Sequence, residues 1–219
     1  WTDQILGVEA EAIAAYPAAL LRSLSKIGEA RVPLADAEDS RFVLFRGGDG
    51  LSEHVAILVG RPEPDRPVLV RLHSACLTGD LFGSLRCDCG EQLRSTIAAM
   101  AKAGGGVLLY LAQEGRNIGL ANKLRAYAIQ DAGYDTLDAN ALLGFGHDER
   151  RYDIAAEMLR QLGLKRVRLM TNNPLKLEAL RAEGLDIEDR VPVIVPVNPH
   201  NEGYLATKAK RAGHMLKEQ

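Results

Sequence analysis

The sequence predicts a mixed α/β (α+β) fold: a mixed β-sheet core with flanking helices, preceded by an N-terminal helical extension. Three observations carry this. Short β-branched and apolar runs recur between residues 41 and 72. After residue 90 such runs alternate with helix-length segments. Residues 8–28 place apolar side chains at roughly helical spacing. The resulting division is 1–30 for the extension and 31–219 for the main domain.

In residues 8–28 the stripe is Ile13, Leu20, Leu21, Leu24 and Ile27, and Pro17 starts a second helical piece. It reads as a packing or oligomer helix without chemistry. RFVLFR (41–46), VAILVG (55–60) and PVLVRL (67–72) are strand-like, and Gly47 to Gly50 and Arg61 to Arg66 separate them. Together they predict a three-stranded meander. Its last strand delivers Arg71, His73, Ser74 and Cys76 at its end. Residues 91–102 predict a helix. Gly104 to Gly106 stop it and lead into a buried strand, VLLYL at 107–111. Helices follow over 120–131 and 151–162, a strand over 167–170, a helix over 174–183 and an extended stretch over 185–197. Residues 203–217 predict a closing helix with Lys208, Lys210, Arg211 and Lys217, which suits a solvated basic face better than a nucleic-acid patch.

Composition narrows the function. With 27 basic and 29 acidic residues the net charge is −2, so no global field draws in nucleic acid. Aromatics are 5%, too few to build stacking platforms for single-stranded bases. No apolar run reaches membrane-spanning length, and no signal-peptide pattern is present. The sequence opens on Trp1 rather than Met, which implies a chain trimmed there or continued upstream in the native protein.

All three cysteines, Cys76, Cys87 and Cys89, fall in RLHSACLTGDLFGSLRCDCGEQL (71–93), spaced C-x10-C-x-C. Clustered thiols in a large chain point to metal and a reducing, cytoplasmic compartment rather than to disulfides. Three ligands to one zinc leave a fourth position open, the arrangement of catalytic zinc. The competing arrangement is a closed Cys3His site completed by His73. A plain alternative, cysteines as small core residues, fits poorly with Thr78, Asp80, Arg86 and Asp88 around them.

HSACLTGDLFGSLRCDCGEQL, YLAQEGRNIGLANKLRAYAIQDAGYDT (110–136), LGFGHDERRY (143–152) and TNNPLK (171–176) together resemble GTP cyclohydrolase II of riboflavin biosynthesis, over about residues 30–217. The resemblance implies a GTP cyclohydrolase II-like fold. It implies zinc-dependent opening of the guanine imidazole ring of GTP, with release of formate and pyrophosphate. The remaining product is a diaminopyrimidinone ribosyl 5′-phosphate. Cys76, Cys87 and Cys89 match the zinc ligands, and a zinc-activated water attacks C8. Arg71, His73, Ser74, Gln92, Glu114, Gly115, Arg116, Thr136, Thr171 and Lys176 match nucleotide-binding positions. Of these, Gln92 reads the base, and Glu114 accepts guanine's N1–H and amine. Tyr127 matches a tyrosine beside the reacting water. Asp148 and Arg150 match the acid and arginine of the phosphate step, as base and covalent nucleophile in the family's scheme. Electrostatic stabilisation by Arg150 asks less of a side chain that stays protonated. Mg2+ accompanies the triphosphate, and a homodimer is implied. Some relatives carry a second riboflavin-pathway enzyme upstream.

The sequence departs from the family at Ala75, where Glu is usual, and at Arg151 and Asp153. Read from the residues alone, Gln92 is a solvated helix residue, Glu114–Arg116 a surface ion pair, Tyr127 a packing residue and Asp148–Arg150 a charged helix start. Three functions therefore stay open: an active GTP cyclohydrolase II, a divergent paralogue acting on another nucleotide or pyrimidine, and a zinc-stabilised binding module without turnover.

Overall fold

Strand β4 (Val68–Ser74) is the centre of the fold. Its run VLVRLHS is buried on both faces, as an interior parallel strand must be. The computed structural model describes residues 8–146, 148–202, 213 and 215. In it β4 pairs in parallel with β5 (Gly105–Leu111) on one side and β6 (Arg166–Met170) on the other. Strand β7 (Asp186–Val191) adds in parallel to β6. On the far side of β5 the antiparallel strands β3 (Glu53–Gly60), β2 (Ser40–Arg46) and β1 (Ser25–Arg31) complete a mixed sheet of order β1-β2-β3-β5-β4-β6-β7. The mixed α/β class is as the sequence predicts.

Two local expectations change. The third predicted strand does not close a meander, because β5 inserts between β3 and β4. The proline-rich segment RPEPDRP (61–67) is too long and too stiff for a tight hairpin, and it carries the chain past that gap. The helix predicted over 8–28 ends early: α1 is Ala10–Arg22, and residues 25–31 are a sheet edge. Every residue of β1 is exposed, so no alternation of apolar and polar residues marks it as a strand. Lys26, Glu29 and Arg31 are the charges that keep such an edge from pairing with other chains. The predicted closing helix at 203–217 lies outside the described residues, apart from 213 and 215.

Helices cover both faces. β5 shows why, since its side chains alternate between two apolar clusters. Leu108 joins Ile57, Val59 and Met100 of α3 (Cys89–Lys102). Val107, Leu109 and Leu111 join Phe45, Val70 and Leu169. That face is covered by Met158 and Leu159 of α7 (Asp153–Gln161) and by Leu177 and Leu180 of α8 (Pro174–Ala182). Each such side chain contributes roughly 1.5–3 kcal/mol on burial. The remaining elements, α2 (Leu77–Asp80), α4 (Glu114–Asn117), α5 (Gly119–Asp131) and α6 (Thr136–Leu142), lie in the connections beyond the carboxyl ends of β4 and β5.

One buried histidine gives the fold a pH signature. His54 on β3 is 1% exposed, and its Nδ1 accepts from the Ala112 N–H at 3.1 Å. Burial pushes its pKa below the usual histidine value, against the pull of Asp49. Below about pH 6.5 the unfolded chain takes up a proton that the folded chain refuses. This group therefore costs stability as pH falls, at up to about 1.4 kcal/mol per unit. Urea midpoints at pH 7.5 and 5.5 check this: the drop in wild type should shrink in His54→Asn, and an equal drop in both refutes it.

Candidate functional site

The parallel strands β4, β5 and β6 end on the same side, and the segments that leave them enclose a cavity of about 700 Å³. Ligands of open α/β sheets bind at this edge, in cavities of this size. Every metal, binding and catalytic residue singled out in the sequence lines this one cavity.

Cys76 follows β4, while Cys87 and Cys89 lead into the first turn of α3. The three sulfurs lie within 4.8 Å of one another. Thiolates about 2.3 Å from a tetrahedral ion sit about 3.8 Å apart, and the Cys76 and Cys87 sulfurs are 3.7 Å apart. Three soft donors at this spacing fit zinc. The Cys76 thiol is pulled well below its ordinary pKa by hydrogen bonds from the Cys87 and Cys89 thiols, with Lys123 adding to the pull. Gly79 makes room for the cluster: a Cβ there would meet the Cys87 sulfur at 2.8 Å and the Cys76 sulfur at 3.1 Å. Gly79→Ala should therefore weaken zinc binding roughly tenfold or more with the far-UV spectrum unchanged. Competition with a chelator checks this, and wild-type affinity would rule it out.

His73 does not complete a Cys3His set. Its Nε2 donates to both oxygens of Asp80, each at 3.0 Å. Asp80 also accepts from the Tyr110 hydroxyl at 2.9 Å and the Cys76 N–H at 3.0 Å, and the His73 and Tyr110 rings stack at 5.5 Å. Burial lowers the His73 pKa, so the imidazole is neutral near pH 7.

Arg71 is buried and bridges the site. It donates to the Met170 carbonyl at 2.8 Å and to Gln92, whose amide donates to Asp88 at 2.5 Å. Burial lowers its pKa to about 10, which leaves it charged. Among the described residues the buried Arg71 Nε and Ser74 hydroxyl find no partner. Such atoms are costly unless a ligand or water meets them.

Glu114, Gly115 and Arg116 follow β5 in an unusual turn. Gly115, Arg116 and Asn117 all have φ between 61° and 74°. A left-handed Arg and Asn side by side are strained, which is characteristic of functional loops. Asn117 is tied to the Glu149 carbonyl at 3.0 Å. The Glu114 carboxylate accepts from Leu77 N at 2.6 Å, Lys123 Nζ at 2.7 Å and its neighbour Gly115 N at 3.1 Å.

The basic end of the cavity is built by the next segments. Asp148 grips the Arg150 guanidinium through Nε at 2.7 Å and through Nη2. Burial would raise the Asp148 pKa, but the hydrogen bonds from Arg150 outweigh it and hold the carboxyl below its ordinary value; Arg116 adds to this. Lys176, on the first turn of α8, donates to the Leu72 carbonyl at 2.8 Å. Thr171 follows β6 and its hydroxyl accepts from the N–H of Asn173, the residue that caps α8. Thr136 opens α6 behind the cap Asp135.

Tyr127 on α5 lies under the Arg86 guanidinium, 4.6 Å from ring centre to Cζ, with the Lys123 ammonium at 5.8 Å. Burial raises its pKa to about 12, so the hydroxyl keeps its proton. Sequence reading passed over Lys123 and the role of Asp80.

No helix among the described residues is long and apolar enough to cross a membrane. Residues 25–192 match the family GTP cyclohydrolase II. A protein of Azospirillum brasilense called GTP cyclohydrolase-2 is 61% identical over 212 residues, 97% of this chain and 55% of its own. One of Xylella fastidiosa with the same name is 57% identical, over 84% of this chain and 46% of its own. This chain thus spans about half the length of those two relatives. It matches 98% of a third, from Cronobacter sakazakii, at 52% identity over 193 residues. With the family pattern covering the whole sheet, and relatives above half identity across the cavity-forming segments, the chain belongs to the GTP cyclohydrolase II family.

Proposed function

We propose that this chain catalyses the zinc-dependent hydrolysis of GTP, the first step of riboflavin biosynthesis. The guanine imidazole ring opens, formate and pyrophosphate leave, and 2,5-diamino-6-ribosylamino-4(3H)-pyrimidinone 5′-phosphate remains. The observation that carries this reading is the sharing of one cavity by a three-thiol cluster and by Arg116, Arg150 and Lys176. A nucleotide with a hydrolysable base and an anionic tail needs both.

Cys76, Cys87 and Cys89 would hold one zinc ion per chain, which when bound would activate water as a nucleophile and polarise a carbonyl. Tyr127, protonated at neutral pH, donates a hydrogen bond to the group that develops as the ring opens. The Arg71 Nε and Ser74 hydroxyl, unpaired among the described residues, take polar atoms of the nucleoside, and His73, held by Asp80, lines the same side. Gln92 contributes its amide, braced by Arg71 and Asp88. Arg150 stabilises charge on the α-phosphate. Asp148 orients it and, ionised and already committed to that pair, is a poor general base. Thr136, Thr171, Lys176 and Arg116 bind the remaining phosphate oxygens, which also carry Mg2+. Helix α1 is an extension outside this machinery. A cytoplasmic homodimer is the assembly and place this reading expects.

The test is release of formate and pyrophosphate from GTP with Mg2+ present. Stoichiometric release of both supports the reading; neither from folded, zinc-loaded protein ends it. Ala75 favours one second reading. It lines the cavity where the family usually has Glu, so a divergent paralogue would turn over another purine nucleotide faster than GTP in the same assay.

A further inference from the structure

We propose that Lys123 is a positioning residue of the metal centre, and that Glu114 is its anchor. The proposal rests on the zinc reading above. Lys123 is 8% exposed on α5, and a lysine is seldom buried unless paired. Its ammonium lies 3.0 Å from the Cys76 sulfur and 2.7 Å from Glu114 Oε1. The other Glu114 oxygen accepts the N–H of Leu77, the residue after Cys76, at 2.6 Å. A closed ring results: Cys76 sulfur, Lys123, Glu114, Leu77 N–H and back through the backbone to Cys76. It ties together the three segments that follow β4, follow β5 and form α5. It fixes the direction of the Cys76 sulfur and sets a positive charge beside a cluster that would be rich in negative charge once metallated. Partners of this kind orient and tune metal ligands.

Counting acceptors shows what Glu114 can still take on. A carboxylate offers about four lone-pair sites. Three are engaged, by Leu77 N, Lys123 and Gly115 N. Guanine's N1–H and amine together need two, so Glu114 could take both only by releasing one of these contacts, and the Gly115 N–H is the one that lies outside the ring.

The test measures zinc affinity of the full chain by competition with a chromogenic chelator at one fixed pH. Lys123→Met should bind zinc roughly 10–100-fold more weakly than wild type. Glu114→Gln should also lose zinc affinity. The double variant should lose no more than Lys123→Met alone, because both act through one ring. Should Lys123→Met fail to fold, Glu114→Gln carries the test. Wild-type zinc affinity in Lys123→Met overturns the proposal. So does a Glu114→Gln variant with unchanged zinc affinity and a large rise in the Michaelis constant. A wild-type chain that takes up no zinc would instead overturn the functional reading itself.

Discussion

Cys87→Ser is expected to abolish formate release from GTP and to leave the chain folded. Serine is not deprotonated at neutral pH, so two thiolates remain where zinc needs three protein ligands. The loss should exceed the roughly 10²–10⁴-fold contributed by a positioned proton donor, because the nucleophile itself goes. The fold should survive for a structural reason. The two apolar clusters that hold the sheet to its helices include none of the three cysteines. Metal analysis, far-UV circular dichroism and a formate assay on the same preparation check this. Formate release above a tenth of wild type from zinc-free variant would sink the metal reading. A variant that unfolds would favour a zinc-stabilised module instead. Pyrophosphate without formate would show that the two ends of the cavity work separately.

Arg150→Ala is expected to slow pyrophosphate release roughly 10²–10³-fold, the cost of losing one preorganised charge-stabilising donor, with zinc content unchanged. The two contacts from Asp148 hold the guanidinium plane in place before substrate arrives, so little reorganisation is left for the reaction. Arg150→Lys keeps the charge and loses the fork, and should recover only part of the rate. Pyrophosphate release within threefold of wild type in Arg150→Ala would remove this residue from the phosphate step.

The parts of the protein written in local pattern were legible from the sequence. The buried runs at 55–60, 107–111 and 167–170 are strands, and the helices over 91–102, 120–131 and 174–183 are present within a residue or two. The candidate site was drawn from short motifs after strands and on the helices that follow them, and its residues line one cavity. What was not legible is non-local. Nothing in 67–72 states that its neighbours are β5 and β6 rather than β3; only the long proline-rich approach hints at it. β1 lacks alternation because neither of its faces is buried. Lys123 and Asp80 look like surface charges, and become parts of the site only because α5 and α2 pack over the cysteines. Their roles lie in their contacts and not in their residue types.

The left-handed turn at 115–117 has a bearing on engineering. Only its first residue is glycine, and each of the other two carries a backbone penalty of about 1–2 kcal/mol. A connector that merely had to reverse direction would be relieved of that strain by glycine. Selection for heat resistance alone would favour such relief, and selection for turnover would oppose it, because the turn presents Arg116 within electrostatic reach of Asp148. Attempts to make this protein more robust have better ground elsewhere, on the exposed strand edge and on the solvent face of α1. There a gain in melting temperature is not drawn from the geometry of the cavity.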